Sequence, residues 1–167
     1  MNQYFRLLNQ SISLCFALFV TAALHADNTF VPELKPNPEY LPDEVVGIQM
    51  RALGHNDQPF NDAGIELTFR FASPSNKVNT GPLDRFSRLF SHPAYEPMLN
   101  HQILEIGSAE IKDNKARVPV MIGTVAGVRM AYVFSLSKQI EAPYADCWMT
   151  DSVTPISLTR SDAPAVM

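Results

Sequence analysis

The chain has 167 residues and a formal net charge of −4, from 13 Lys and Arg against 17 Asp and Glu. This balance disfavours nucleic acid and anionic membrane surfaces as partners, because both are bound by clustered basic side chains. The length suits one domain that follows a short N-terminal leader.

Residues 1–26 have the pattern of a secretory signal peptide. Arg6 is the only charged residue before Asp27, and an apolar stretch at 12–24 is followed by small residues. The stretch is long enough for a signal sequence and short for a membrane span. Cleavage after Ala26, or alternatively after Ala23, predicts a periplasmic or secreted protein with no stable membrane span. A retained anchor and a buried N-terminal helix are the alternatives.

Removal of the leader leaves Cys147 as the only cysteine, so the mature chain has no disulfide of its own. A lone thiol in an oxidising compartment is either buried or reactive. Cys147 lies between Asp146 and Trp148 in a strand-like run, which favours burial.

The next segment, 27–42, contains four prolines and predicts an extended tether, because proline removes backbone donors and interrupts helices. A helix is predicted from Asp43 to a stop at Gly54. Its apolar residues at helical spacing are Val45, Val46, Ile48, Met50, Ala52 and Leu53.

Residues 62–73 fit two interpretations. Ile65, Leu67, Phe69 and Phe71 alternate with polar residues, which is the period of a half-buried strand. The helical surroundings favour a helix, and the family resemblance described below supports that choice. Residues 73–81 have the composition of a loop, and an amphipathic helix is predicted from Pro82 to about residue 92.

The second half of the chain predicts strands. One short helical turn is expected at 95–99, and two β-branched, aromatic-rich runs joined at Ala126-Gly127 indicate a β-hairpin. The four predicted strands are 102–111, 118–125, 128–136 and 145–153. Because the helices precede the strands, the fold class is α+β, with a domain at 43–155 and a tail at 156–167.

Alternation along the third predicted strand, 128–136, places an apolar row on one face of the sheet. The row consists of Val128, Met130, Tyr132, Phe134 and Leu136. We expect the helices to cover it, with about 2 kcal/mol from each of its large side chains. Four further apolar residues are expected to need cover on the other face, and a homodimer through the sheet would supply it. They are Val118, Val120, Ile122 and Val133.

Four stretches resemble an uncharacterised bacterial and plastid domain family. They are FRFASPSN (69–76), TGPLDRF (80–86), FSLSKQ (134–139) and CWMTDSV (147–153). The resemblance covers about residues 43–155, and the family is placed in the class similar to nuclear transport factor two and SnoaL cyclases. It implies an α+β cone, in which N-terminal helices pack inside a curved four-stranded antiparallel sheet around a pocket. It implies no catalytic residues, because the family has no established activity.

Six residues are candidates for binding a ligand in such a pocket. Asn76, Thr80 and Arg85 surround the loop between two helices and would hold an anionic ligand at its mouth. The alternative is that Asn76 closes a turn, Thr80 caps a helix and Arg85 is a solvated charge. The complete set is Phe69, Asn76, Thr80, Arg85, Phe86 and Trp148.

Three residues are candidates for acid–base chemistry: Asp151, His101 and Tyr132. Alternation places Asp151 on one face with Met149 and Val153. If that face points inward, Asp151 is suited to proton transfer, with Tyr132 or His101 as donor. If it points outward, Asp151 is an ordinary carboxylate at a sheet edge. For His101, the alternative is a structural role, because it lies at a strand entrance.

No cofactor or metal is expected, because no His, Cys or carboxylate pair has ligand spacing and no glycine-rich phosphate loop is present. The first hypothesis is therefore an exported, non-catalytic domain that binds a small apolar ligand or a protein partner. The alternative is a SnoaL-like acid–base enzyme acting on a small hydrophobic carbonyl compound. A third hypothesis is a structural role in an assembly.

Overall fold

The computed structural model describes residues 34–156. The predicted signal peptide, the first part of the tether and all but the first residue of the predicted tail lie outside the described residues. Within 34–156, no helix has both the length and the apolar character needed to cross a bilayer.

Helices come first and a sheet follows, so the predicted α+β class is confirmed. The helices are α1 (Pro42–Gly54), α2 (Ala63–Arg70), α3 (Pro74–Thr80) and α4 (Leu83–Ser87), and two short 3₁₀ helices follow at Arg88–Ser91 and Glu96–Met98. The strands are β1 (Ile103–Ile106), β2 (Glu110–Lys112), β3 (Lys115–Gly123), β4 (Arg129–Lys138) and β5 (Trp148–Ile156). The sheet is antiparallel in the order β1-β3-β4-β5, with β2 also paired to β3.

Helix α1 begins and ends within a residue of its prediction. Pro42 occupies the first turn, and the Leu41 N–H donates to the Glu44 carboxylate at 2.8 Å. At its other end, a side chain on Gly54 would lie 3.1 Å from the His101 ring. The absence of a side chain at residue 54 therefore lets His101 pack against the end of the helix.

The helical interpretation of residues 62–73 is correct, and the strand interpretation is wrong for this segment. Ile65 and Thr68 are buried on one side of α2. Gly64 lies where α2 meets α1, since a Cβ there would be 2.3 Å from the Ala52 carbonyl oxygen. The structure of this segment is determined by the close packing of α1 and α2. The alternation of apolar and polar residues within the segment gives no information on that packing.

The predicted loop at 73–81 is wrong, because most of it is helix α3. The Ser73 hydroxyl accepts from the Asn76 N–H at 3.2 Å, and Pro74 occupies the first helical position. Ser followed by Pro is a helix-start signal. In this segment the helix-start signal occurs together with a polar composition that is typical of loops.

The predicted strand at 102–111 is two strands, so the sheet has five strands and not four. Pro119 of β3 faces the interruption, and its carbonyl oxygen accepts from the Gly107 N–H at 2.8 Å. The nitrogen of Pro119 has no proton to donate on that same side, so continuous pairing fails there. A Cβ on Gly107 would lie 2.6 Å from the Pro119 ring, which explains the glycine.

The hairpin between β3 and β4 turns where predicted, with Gly127 at φ 77°. Its register overturns one expectation about the faces. Val118, Val120 and Ile122 pair with Phe134, Tyr132 and Met130, and paired residues share a face. The inner face therefore contains all six, and of the four residues expected on the outer face only the half-buried Val133 lies there.

Candidate functional site: a cavity between helices and sheet

A cavity of about 360 Å³ lies between the helices and the inner face of the sheet at β4 and β5. We call it the helix–sheet cavity. Its apolar lining comes from three helical segments, the 3₁₀ helix before β1 and the middle of β4. The apolar lining residues are Leu53, Phe86, Leu89, Phe90, Met98 and Phe134, with Val153 at the sheet edge.

The aromatic wall of the cavity follows from helical spacing. Phe86 and Phe90 are four residues apart, and their rings meet edge to face at a centroid distance of 5.7 Å. Phe69 of α2 packs on Phe86 at 5.0 Å and so supports the wall from behind. The segment 83–91 thus presents Phe86, Leu89 and Phe90 to the cavity, whereas Leu83 is exposed.

The predicted ligand-binding residues divide into two groups. Asn76, Thr80 and Phe86 line the cavity, whereas Phe69, Arg85 and Trp148 do not. Arg85 is exposed, and Trp148 is buried in the hydrophobic core.

Asn76 and Thr80 hold the cavity rim together. The Thr80 hydroxyl lies 2.9 Å from the Asn76 backbone oxygen and 3.0 Å from its side-chain oxygen. The Asn76 amide group donates to the Thr150 carbonyl oxygen at 3.0 Å, which ties α3 to β5.

Behind this rim lies a buried set of hydrogen bonds, which we call the polar joint. The Thr150 hydroxyl donates to the Gln49 side-chain oxygen at 2.7 Å, and the Gln49 amide group donates to the Thr68 carbonyl oxygen at 3.1 Å. The Ser73 N–H donates to the Thr150 carbonyl oxygen at 2.8 Å. The joint connects α1, α2, the start of α3 and β5, so it fixes the helices on the sheet beside the cavity.

Asp151 lies at a β-bulge. Ser152 pairs with Ser135 and Thr150 pairs with Leu136, so Asp151 is an extra residue with no partner on β4. The bulge breaks the predicted alternation, because Val153 now lies on the inner face while Met149 lies on the outer one.

The Asp151 carboxylate is bound on the outer side of the sheet. It accepts from the Ser137 hydroxyl at 2.8 Å and from the Lys115 ammonium group at 3.1 Å. Lys115 and Ser137 pair with each other on that outer face. Asp151 contributes to the cavity lining as well, at the edge where β5 passes it.

His101 and Tyr132, the two predicted proton donors, are buried and bonded elsewhere. The Tyr132 hydroxyl donates to the Ala94 carbonyl oxygen at 3.0 Å, and His101 Nδ1 lies 2.8 Å from the Met98 carbonyl oxygen. Burial, with the neighbouring Tyr95 hydroxyl as the smaller cause, raises the pKa of Tyr132 to about 12. Within residues 34–156, no hydrogen bond joins any two of Asp151, His101 and Tyr132.

Cys147 is buried, as predicted, with 2% of its surface exposed. Burial, and secondarily the charge of Asp146, raises the pKa of its thiol. A buried thiol that resists ionisation is a poor nucleophile, because the thiolate is the reactive form.

Sequence reasoning missed part of the cavity. Tyr95 and Met98, in the segment expected as one helical turn, line it, as does the exposed Asn79 of α3. The helical spacing of Leu89 and Phe90 was visible in the sequence and could have identified them as lining residues. Among residues 34–156, no three His, Cys, Asp or Glu side chains are grouped so that they could hold a metal ion.

Comparison of the chain with protein-family models, with curated proteins and with solved structures found no significant match.

Proposed function

We propose that this protein is an exported, non-catalytic domain that binds a small ligand with an apolar body in the helix–sheet cavity. The supporting observation is the cavity itself, about 360 Å³ of space beside a well-packed core. Ligand clefts in proteins have volumes from about 300 Å³, so an open cavity of this size has room for a small molecule. Aromatic and aliphatic lining with a few polar groups at the rim is the usual composition of such sites.

The proposal is tested by native mass spectrometry of protein expressed from the full chain, which would detect a small molecule that co-purifies. Leu89→Trp fills the mouth of the cavity, where Leu89 is 37% exposed. We expect this variant to lose the bound molecule. Ile140→Trp is the matched control, because Ile140 is 81% exposed and does not line the cavity. Equal retention by both variants would contradict the proposal.

Export is part of the same proposal. It is supported by the leader pattern at residues 1–26 and by the burial of Cys147, which shields the thiol from oxidants. The test is the N-terminal sequence of the protein recovered from the periplasm or medium. It should begin at Asp27, or at Leu24 for the alternative cleavage, and an uncleaved cytoplasmic product would contradict export.

We further propose that the domain is a cone of the class similar to nuclear transport factor two. Supporting features are helices gathered on one face of an antiparallel sheet and a cavity between the two layers. Two of the four resembling stretches, 69–76 and 147–153, meet at the polar joint, which gives them a shared structural role. An experimental structure with a flat sheet would contradict this assignment.

A SnoaL-like acid–base enzyme remains the alternative proposal. Its one supporting feature is that Asp151 contributes to the cavity lining. Loss of a measured turnover in Asp151→Asn, with the folded state intact, is the test of this alternative.

A homodimer through the outer face of the sheet also stays a proposal. A monomeric mass in sedimentation would contradict it.

A further inference from the structure

The charge of the cavity lining restricts the ligand. Among the described residues that line the helix–sheet cavity, none is Lys, Arg or His, and the one acidic residue, Asp151, has its carboxylate bound to Ser137 and Lys115 on the outer side of the sheet. An anion that left water for this site would therefore lose its hydration without gaining a cationic partner.

Cations adjacent to lining residues are bound outside the cavity. Lys77 donates to the Arg70 carbonyl oxygen at 3.0 Å, and its ammonium group lies 5.5 Å from the centre of the Phe69 ring. Lys115 is bound to Asp151 on the outer face and is largely exposed. Arg85, which the sequence suggested for holding an anion, does not line the cavity.

Three of the four hydroxyl groups in the lining donate their protons within the protein, and the fourth, on Ser152, is exposed. The Thr68 hydroxyl donates to the Gln49 carbonyl oxygen, the Tyr95 hydroxyl donates to the Val153 carbonyl oxygen, and the Thr80 hydroxyl donates to Asn76. Their oxygen lone pairs are what each of these groups still offers to a ligand. Such oxygens accept hydrogen bonds, so they favour a ligand that donates them.

We infer that the ligand of this cavity is neutral or positively charged, with an apolar body and a hydrogen-bond-donating group such as a hydroxyl or an amine, and not a carboxylate or phosphate. This inference rests on the proposed function and narrows it to a class of ligand. A cavity of about 360 Å³ has room for about a dozen non-hydrogen atoms, if each takes about the 30 Å³ of a water molecule in the liquid.

A matched series of probes tests the inference by calorimetry on the protein expressed from the full chain, at neutral pH. The probes are phenylbutanol, phenylbutylamine, phenylbutyrate and butylbenzene, which share one apolar body of suitable size. We expect the alcohol and the amine to bind at least tenfold more tightly than the carboxylate. Equal or tighter binding of phenylbutyrate would overturn the inference and leave the proposed function standing. Failure of all four probes to bind would overturn the proposed function and the inference with it.

A charge placed at the mouth sharpens the test. Asn79→Lys adds a cation to the lining, and we expect it to raise the affinity for phenylbutyrate about tenfold. Val78→Lys adds the same charge one residue away on α3, at a site that is 82% exposed and outside the lining, so its affinity should be unchanged. Equal gains in both variants would show that overall charge governs selection, and would overturn the inference.

Discussion

The inner and outer faces of the sheet differ in almost every respect. The inner face presents a continuous buried row from β3 and β4 and borders the helix–sheet cavity. On the outer face, Lys115, Arg117 and Arg129 are exposed, and Ser137 binds the carboxylate of Asp151. Alternation within one strand identifies two faces, but the register between strands decides which apolar residues share one. That register places Val118, Val120 and Ile122 inside, so the long apolar row lies on the inner face. The outer face combines exposed charged residues with the buried Met149 and the half-buried Val133.

The largest expected difference between the faces comes from removing a buried ring. Phe134→Ala on the inner face should lower the free energy of unfolding by about 4 kcal/mol, because it deletes a fully buried side chain and enlarges the cavity. Val133→Ala, one residue along β4 on the outer face, should cost about 1 kcal/mol, because Val133 is half-buried. Urea unfolding measures both, and equal losses would contradict the assignment of the faces.

A smaller effect is expected from high pH. Because the pKa of Tyr132 is raised to about 12 in the folded protein, its phenol keeps its proton where the unfolded chain loses it, above about pH 10. The resulting stabilisation is complete below pH 10 and is lost as pH rises through 12. We expect a loss of about 2 kcal/mol from this group over that window.

Urea unfolding at a series of pH values isolates the contribution of Tyr132. The variant Tyr132→Phe lacks the titrating group, so its stability should fall less between pH 10 and 12. If the free energy of unfolding falls equally with pH in the wild type and in Tyr132→Phe, the ionisation of Tyr132 is not the cause of the loss of stability.

The smallest effect is expected on the outer face. Lys115→Met removes the ion pair with Asp151, in which the lysine side chain is 71% exposed. Exposed ion pairs contribute little, so the free energy of unfolding should change by less than about 0.5 kcal/mol. A loss above about 2 kcal/mol would mean that the outer face is buried against another molecule.

The sequence predicted elements whose signals are local. The first helix, the hairpin at Gly127 and the α+β order were all visible in spacing and turn residues. The break between β1 and β2 was not, because its cause is Pro119 on the facing strand. The bulge at Asp151 was missed for a similar reason, since it depends on how β5 pairs with β4.

Part of the candidate site could also be predicted from local sequence signals. Asn76, Thr80 and Arg85 are predicted from their place around a loop between two helices, and the first two line the cavity whereas Arg85 does not. Tyr95 and Met98 reach it through the 3₁₀ helix that the chain forms before β1, a position set by tertiary packing. Residue type and local position therefore predict part of the cavity lining. The other lining residues are brought to the cavity by tertiary packing.

The polar joint also occupies backbone hydrogen-bonding groups of the edge strand β5. Thr150 of β5 exchanges backbone hydrogen bonds with Phe71 and Ser73, and further along the Tyr95 hydroxyl binds the Val153 carbonyl oxygen. Those backbone groups are therefore not free to pair with a strand of another molecule. Such pairing along an exposed edge strand is a common start of aggregation. On the opposite border, the interruption at Gly107 shortens the accessible ladder. Each border of the sheet therefore offers a shorter run of unpaired backbone groups than an uninterrupted edge strand would.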